Sequence, residues 1–251
     1  MGNMIGIHQQ AGKIDAYLAV PQKTMKFRGA VIVVHEIWGL TEHIKHVADR
    51  IATQGYFALA PDLYSSKMAN RRPSEELQKD LFSSDERVRY NAQPKLRALV
   101  GPTQTPQFIS MALSRLSSCF EYMYNQPLAH QKVIIVGFGM GGTYAYSMAI
   151  RESRLKGVVA FYGHAQYLTP ELRHIKCPVL AFYGEKEQGL KKELNSLVDR
   201  MKQAGVDFTP VVYGSTGHAF FNDSNPFAYQ PLAAEDAWRR VVAFLRDEMI
   251  G

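Results

Sequence analysis

The residues most able to do chemistry surround a glycine-rich corner in the middle of the chain. The apolar run 133–136 predicts a buried strand, and Gly137, Gly139 and Gly142 follow it before a helical pattern over 143–151. Two kinds of site use this strand–turn–helix arrangement. One is the nucleophile elbow, a tight turn that presents a Ser or Cys side chain above the edge of a sheet. The other is the glycine-rich loop that holds a dinucleotide. In an elbow, Gly139 would stand in the position of the nucleophile.

Two later strand ends supply the groups that would accompany a nucleophile. The predicted strand 178–183 is followed by a turn that contains Glu187, and the predicted strand 207–213 is followed by a turn that contains His218. Ligands of parallel α/β sheets bind beyond the carboxyl ends of the strands. Hydrolases with an elbow have the chain order nucleophile, acid, histidine. Gly139, Glu187 and His218 occur in this order, which favours the elbow.

The dinucleotide-binding alternative lacks its acidic residue. That site needs a carboxylate about twenty positions beyond the glycines, at the end of the next strand, to bind a ribose hydroxyl. Here the next strand ends with Phe161, Tyr162, Gly163 and His164, none of which is acidic. Several predicted strands also precede the glycines, whereas a dinucleotide loop follows the first strand of its domain. We therefore predict no nucleotide cofactor.

Strands and helices alternate along the chain. Apolar runs predict strands at 5–9, 13–21, 30–34, 57–60, 132–136, 157–162, 178–183 and 207–213, the first two forming an antiparallel pair. Helices are predicted at 40–54 with Thr41 as N-cap, and at 106–125, 143–151, 190–204 and 233–249. The polar segment 65–104 has helical pieces interrupted at Pro73, Pro94 and Pro102. We predict an α/β fold with a mostly parallel central sheet and helices on both faces, in a single domain over 1–251.

Composition argues against several functional classes. The chain has 251 residues, of which 46% are hydrophobic, and its net charge of +6 is scattered, so we predict no nucleic-acid partner. Cys119 and Cys177 have neither metal-site nor redox spacing, which predicts buried free thiols and no metal. The N-terminus lacks a signal-peptide pattern, and no apolar run reaches membrane-spanning length. We expect a cytoplasmic protein without a membrane partner.

Five blocks of the sequence resemble the dienelactone hydrolase family. They are VVHEIWGL at 33–40, YFALAPDLY at 56–64, the glycines 137, 141 and 142, the turn at Gly184, and GHAF at 217–220. Together they span most of the chain. The resemblance implies an α/β-hydrolase fold and a small-molecule substrate, an ester or lactone. It also implies a Cys-His-Asp or Ser-His-Asp triad that needs no cofactor.

The same resemblance implies roles for individual residues. His218 would be the catalytic histidine, and Glu187 the acid, where the family more often has Asp. Glu36 would lie beside the nucleophile. The backbone N–H groups of Ile37 and Met140 would form the oxyanion hole.

Two residues depart from the family pattern. Gly139 occupies the nucleophile position and offers neither a thiol nor a hydroxyl. Asn222, four residues after His218, replaces the arginine with which dienelactone-cleaving members bind the substrate carboxylate, so a dienelactone substrate is disfavoured. Thr143 and Ser147 follow on the next helix and are predicted to point away from the elbow.

The missing side chain at Gly139 predicts an open pocket. Its expected lining comes from strand ends and the loops after them: Glu36, Trp38, Tyr64, Tyr162, Phe220 and Asn222, with a core position for Phe220 equally compatible. Three functions remain open: a hydrolase whose nucleophile has been replaced, direct attack by water, and non-catalytic ligand binding on a hydrolase scaffold. Our main interpretation is a protein that acts on or binds a small ester or lactone with impaired or altered activity.

Overall fold

One eight-stranded sheet organises the chain, whose computed structural model describes residues 2–9, 12–65 and 72–249. The strands are β1 (Asn3–Gln9), β2 (Gly12–Ala19), β3 (Gly29–Val34), β4 (Tyr56–Pro61), β5 (Val133–Phe138), β6 (Gly157–Phe161), β7 (Val179–Gly184) and β8 (Phe208–Tyr213). Their order in the sheet is β1-β2-β4-β3-β5-β6-β7-β8. β2 pairs antiparallel with β1 and β4, and all other pairs are parallel. The predicted mostly parallel α/β sheet is confirmed.

The helices cover both faces of this sheet. They are α1 (Glu42–Ala52), α2 (Glu75–Leu81), α3 (Glu86–Val100), α4 (Pro106–Tyr124), α5 (Met140–Arg151), α6 (Thr169–Leu172), α7 (Leu190–Ala204) and α8 (Pro231–Met249). The core on one face contains side chains of α4, α5 and α7, and the core on the other contains those of α1 and α8. Among the described helices, none is both long enough and apolar enough to cross a membrane.

The central strands are apolar along their whole length because both faces of the sheet are buried at this point. Along β5, Val133 and Ile135 belong to one core, whereas Ile134, Val136 and Phe138 belong to the other. Successive side chains of a strand point to opposite faces, so a strand with a helical layer on each side is buried on both. Burial of each large apolar side chain contributes about 1.5–3 kcal/mol.

The helices differ from prediction in several details, and most of their bounds shift by one or two residues. α5 begins at Met140 rather than Thr143, because the corner at Gly139 leads directly into the helix. Pro94 was predicted to interrupt a helix but lies inside α3, where it and the nearby Tyr90 are exposed, so water can satisfy the carbonyl that loses its helical partner. Thr41 stands at the N-cap of α1, but its side chain makes no capping hydrogen bond.

The polar segment after β4 forms a helical hairpin next to the sheet. Within the predicted segment 65–104, residues 66–71 lie outside the described part of the chain. Leu77 and Leu81 of α2 pack with Ala92 of α3 in a small separate cluster, which also contacts Trp38. The Trp38 ring meets the Phe82 ring edge-on at 5.3 Å between centroids. The hairpin is thereby attached to the loop that follows β3.

Both cysteines are buried free thiols, in agreement with the prediction. Cys119 lies in α4, and Cys177 lies just before β7. Burial raises the pKa of the Cys119 thiol to about 12 and that of the Cys177 thiol to about 12. Neither thiol therefore forms a thiolate at neutral pH.

Candidate active site

Gly139 forms a sharp corner between β5 and α5. Its backbone has φ 53° and ψ −113°, a conformation that is unfavourable for residues with a Cβ. Its N–H donates to the carbonyl of Phe161 at 3.0 Å, and its carbonyl accepts from the N–H of Thr143 at 3.1 Å. The corner is therefore held from both sides by the backbone.

The neighbouring glycines allow the backbone to pack closely. A Cβ on Gly137 would lie 2.1 Å from the carbonyl oxygen of Gly141, and a Cβ on Gly141 would lie 2.3 Å from that of Val34. At Gly142 the corresponding distance to the Phe161 oxygen is 2.8 Å. All three distances are below van der Waals contact. The first turn of α5 thus lies directly against the strands, which accounts for these glycines without a bound phosphate.

His218 and Glu187 form a hydrogen-bonded pair beside this corner. Nδ1 of His218 lies 2.8 Å from Oε2 of Glu187, whose Oε1 accepts from the N–H of Gly184 at 2.9 Å. The Glu187 side chain is only 8% exposed, while that of His218 is 53% exposed. Nε2, the other ring nitrogen, makes no hydrogen bond to any described residue. This Nε2 lies 3.7 Å from the position that a Cβ on Gly139 would occupy.

Glu36 approaches the same position with its carboxylate held by two buried donors. Its Cγ lies 3.8 Å from the Cβ position of Gly139. The Tyr162 hydroxyl donates to Oε1 at 2.9 Å, and Nδ2 of Asn222 donates to Oε2 at 2.6 Å. Burial, and then the charge of Glu36, raises the pKa of the Tyr162 hydroxyl well above its usual value. Tyr162 therefore remains a donor at all ordinary pH values.

Tyr162 is strained as well as buried. Its φ is 40°, in a region that residues other than glycine rarely adopt. Its ring centroid lies 4.8 Å from that of His218. The strained backbone thus places the Tyr162 side chain against both Glu36 and His218. Backbone strain of this kind occurs mainly at functional sites. From the sequence, Tyr162 is predicted only as a residue of the pocket wall.

Among the described residues, several backbone N–H groups near the corner have no acceptor, and two of them border the cavities found there. These two belong to Ile37, after β3, and to Met140, the first residue of α5. An N–H in the first turn of a helix has no partner within the helix and lies at the positive end of the helix dipole. These are the donors that the family resemblance assigns to an oxyanion hole.

His35 fixes the direction of one of these donors. It is fully buried, and its Nδ1 lies 2.5 Å from the carbonyl oxygen of Glu36. Leu63 donates its N–H to Nε2 at 3.0 Å, so Nδ1 must carry the proton. Burial lowers the pKa of the His35 imidazole, which keeps the ring neutral. The Glu36 carbonyl and the Ile37 N–H share one planar peptide group, so a hydrogen bond to the first orients the second.

Two cavities meet at the corner. The larger, of about 530 Å³, is bordered by Gly139, Ile37, Met140, Tyr162 and His218, and is closed by Val100, Thr103, Gln104, Ile109, Thr143, Tyr144, His164, Gln166 and Tyr167. The smaller, of about 330 Å³, lies beneath the α2–α3 hairpin and is bordered by Glu36, Trp38, Phe82 and His218 among others. The space that a nucleophile would fill is therefore open.

Several predicted wall residues have other positions. Tyr64 belongs to neither cavity wall and instead stacks on His35 in one core. Phe220 takes the core position that the sequence left equally open, and packs edge-on against Tyr162 in the other core. Asn222 is buried behind Glu36 and reaches the site only through it.

Thr143 and Ser147, the two hydroxyl residues of α5 considered above, have different surroundings. Thr143 was predicted to point away from the elbow, yet it lines the larger cavity. Its hydroxyl accepts from the N–H of His164 at 3.0 Å. Ser147, one turn further along α5, hydrogen-bonds to the hydroxyl of Tyr167 and is buried. Neither lies at the position of the missing nucleophile.

Sequence and structure comparisons place these features in a known family. The pattern of the "Dienelactone hydrolase family" matches residues 14–249. A Saccharolobus solfataricus protein named "Putative carboxymethylenebutenolidase" is 33% identical over 254 residues, which cover 93% of this chain and 94% of that protein. A crystal structure of a "Putative Dienelactone Hydrolase" from Klebsiella pneumoniae has a TM-score of 0.80 and 26% identity, with 98% of each chain covered. A brefeldin A esterase, with a TM-score of 0.70 and 14% identity, covers 99% of this chain and 77% of its own, and shares the fold. The fold is that of the α/β-hydrolases, and the protein belongs to the dienelactone hydrolase family.

Proposed function

We propose that the protein binds a small carboxylic ester or lactone above Gly139 and hydrolyses it weakly, by attack of water instead of through an acyl-enzyme. The observation that carries this proposal is the His218–Glu187 pair, whose free Nε2 lies 3.7 Å from the position of the absent Cβ. The names of the relatives, which refer to lactone hydrolysis, support the substrate class. A water molecule in the open space would stand in for the missing side chain.

Each group in the site has a role in such a reaction. Nε2 of His218 takes a proton from water, and the hydroxide oxygen bonds to the carbonyl carbon. The N–H groups of Ile37 and Met140 stabilise the oxyanion. When the C–O bond to the leaving group breaks, the imidazolium returns the proton to the leaving alkoxide. Glu187 orients the ring and stabilises its positive charge.

This reaction must be slow compared with that of an intact triad. Enzymes that lose a triad member keep only about 10³–10⁴-fold acceleration over water, from the oxyanion hole and binding. Gly139 removes the group that forms the covalent intermediate. We therefore expect little or no turnover of p-nitrophenyl acetate by the natural sequence.

Installing a nucleophile tests the proposal. Gly139→Ser or Gly139→Cys places a side chain beside Nε2 of His218, and we expect hydrolysis of p-nitrophenyl acetate to rise by about 10²-fold or more, because the oxyanion donors are already in place. His218→Ala in the same background is the control and should remove the gain. Thermal unfolding of each variant verifies that it is folded. Two folded variants that both stay inert on short esters would refute the proposal.

A second candidate is a ligand-binding protein without catalysis, which the absence of a nucleophile at Gly139 favours. One experiment on the natural sequence distinguishes the two functions. Calorimetry measures the binding of an unactivated methyl ester, and product analysis measures its hydrolysis over days. Binding without product, unchanged by His218→Ala, would support the non-catalytic function.

A further inference from the structure

A third cavity adjoins the active site along α7. It has a volume of about 550 Å³ and lies between residues 163–166 and the helix. His164 and Gln166 border both this cavity and the larger one above Gly139. A ligand that extends past these two side chains would therefore occupy both spaces.

The α7 side of the cavity carries two cations without acidic partners. Lys192, Ser196 and Arg200 recur every four residues and so share one side of the helix. Among the described residues, no carboxylate forms an ion pair with Lys192 or Arg200. The acid in this wall, Glu193, instead faces Nδ1 of His164 at 3.1 Å.

Arg200 has unused hydrogen-bonding capacity in particular. A guanidinium carries five N–H donors. In the described structure it makes one hydrogen bond, from Nη2 to the carbonyl of Ala165 at 3.5 Å, and its Nε is buried without a partner. A half-buried cation with so few partners is favourable for an anionic ligand, because charge-assisted hydrogen bonds are stronger than neutral ones.

The remaining wall is apolar and suits a hydrocarbon chain. Leu190, Leu194 and Leu197 of α7, with Tyr183 of β7, supply this surface. At the other end of the ligand, the carboxylate of Glu36 lies close to Gly139, with its Cγ 3.8 Å from the Cβ position of the glycine. An anionic group is disfavoured there and favoured beside α7.

We propose that this cavity binds a carboxylate at the far end of the substrate, so that the ligand is a carboxylic ester or lactone with an apolar spacer and a terminal carboxylate. The carbonyl would lie above Gly139, the spacer would pass His164, and the carboxylate would lie between Lys192 and Arg200. The ester part of this inference rests on the proposed function. The carboxylate part rests on the unpaired cations of α7.

Equilibrium binding to the natural sequence tests the proposal without any turnover. The probes are monomethyl adipate, which has an ester and a carboxylate, dimethyl adipate, which has only esters, and propionate, which has only a carboxylate. We expect monomethyl adipate to bind about tenfold or more tightly than either other probe, with a preference that shrinks at high salt. The half-esters of succinate and suberate then measure the length of spacer that spans the two cavities.

Matched charge variants locate the carboxylate site. The double variant Lys192→Gln, Arg200→Gln should lose the preference for monomethyl adipate over dimethyl adipate and leave the binding of dimethyl adipate unchanged. Lys191→Gln removes the same type of charge from the adjacent exposed position, outside the cavity wall, and should change neither. Circular dichroism and thermal unfolding verify that the variants are folded.

The outcomes separate this inference from the proposed function. Equal binding of the two adipate esters, or equal weakening by Lys191→Gln, would overturn the carboxylate site while leaving ester binding intact. Propionate binding that depends on Lys192 and Arg200, with no binding of dimethyl adipate, would support the anion site and contradict the proposed function. Absence of binding by all three probes would contradict both.

Discussion

The backbone of Gly139 gives this residue a stabilising role that is separate from catalysis. A residue with a Cβ at φ 53° and ψ −113° is strained, and such strain costs about 1–3 kcal/mol. Enzymes with an elbow nucleophile accept that cost because the side chain is needed. Here glycine avoids it, and the site keeps its shape without the strain.

Substitution of Gly139 by alanine measures this cost. The nearest atoms to a new Cβ lie at 3.7–3.9 Å, which is ordinary contact, so any destabilisation comes from the backbone. We expect Gly139→Ala to lower the free energy of unfolding by about 1–3 kcal/mol in urea titrations. Gly101→Ala is the control, because Gly101 has a helical backbone and no neighbour near its Cβ position. Equal stability of Gly139→Ala and the natural sequence would show that the corner is not strained.

Chain order indicated which residues could meet, but not how they are oriented. The positions of Gly139, Glu187 and His218 after three strands were sufficient to predict their proximity, because the carboxyl ends of parallel strands meet at one edge. The hydrogen bond from Asn222 to Glu36 joins residues 186 positions apart. The role of Tyr162 depends on a positive φ, and that of His35 depends on a backbone carbonyl. A pattern of side-chain types contains no signal for these features.

At the scale of secondary-structure elements, the buried strands were the most predictable. β3, β5 and β7 are apolar along their whole length because both faces are covered, and their predicted bounds are close to those observed. The α2–α3 hairpin was less predictable, since Pro94 normally interrupts a helix. Its contacts with Trp38 come from tertiary packing, which overrides local propensity.

His35 orients the Ile37 N–H in the loop after β3 through its hydrogen bond to the Glu36 carbonyl. A kinetic experiment can measure how much this orientation contributes to catalysis. In the Gly139→Ser background, we expect His35→Gln to lower kcat by about 10–10²-fold with little change in KM, because the misdirected Ile37 N–H would stabilise the transition state less. Leu245→Ala, on the buried side of α8, should destabilise the fold by about 2–5 kcal/mol without this selective loss of kcat. Parallel changes in kcat for both variants would assign His35 a purely structural role.

The edge strand β8 is attached to α8 by a cluster that titrates. Asp236 accepts hydrogen bonds from Arg240 at 2.7 Å and from the Tyr213 hydroxyl at 2.8 Å. These bonds, first that from Arg240, lower the pKa of the Asp236 carboxyl to about 2. Because the folded pKa lies below the unfolded value of about 3.9, the stabilisation is present above that value and is lost as pH falls towards 2.

A pH series therefore reveals the contribution of Asp236. We expect Asp236→Asn to lower the free energy of unfolding by less than about 1 kcal/mol at pH 7, because the group is partly exposed. The difference from the natural sequence should shrink between about pH 4 and pH 2. Asp247→Asn is the control, since its exposed pairing with Arg246 connects adjacent residues. A difference that stays constant down to pH 2 would contradict the assignment.

At the scale of the whole molecule, the sheet separates two cores and carries the site along one edge. Residues of the site come from the ends of β3, β5, β6 and β7 and from the loop after β8. Their relative positions therefore depend on the sheet as a unit. Helical segments outside the sheet complete the cavities: the α2–α3 hairpin borders one of them and α7 borders another.

The burial of both natural thiols has a practical consequence for measuring occupancy of the site. Cys119 and Cys177 are shielded and protonated at neutral pH, so an alkylating reagent should leave the natural sequence unlabelled. Gly139→Cys should then take up one iodoacetamide group per molecule, as counted by intact-mass spectrometry. Labelling of the natural sequence under the same conditions would contradict this expectation. Because the labelling site is unique, the slowing of alkylation by monomethyl adipate measures the fraction of molecules in which the cavity is occupied. Protection of this one thiol can therefore be used to measure ligand binding.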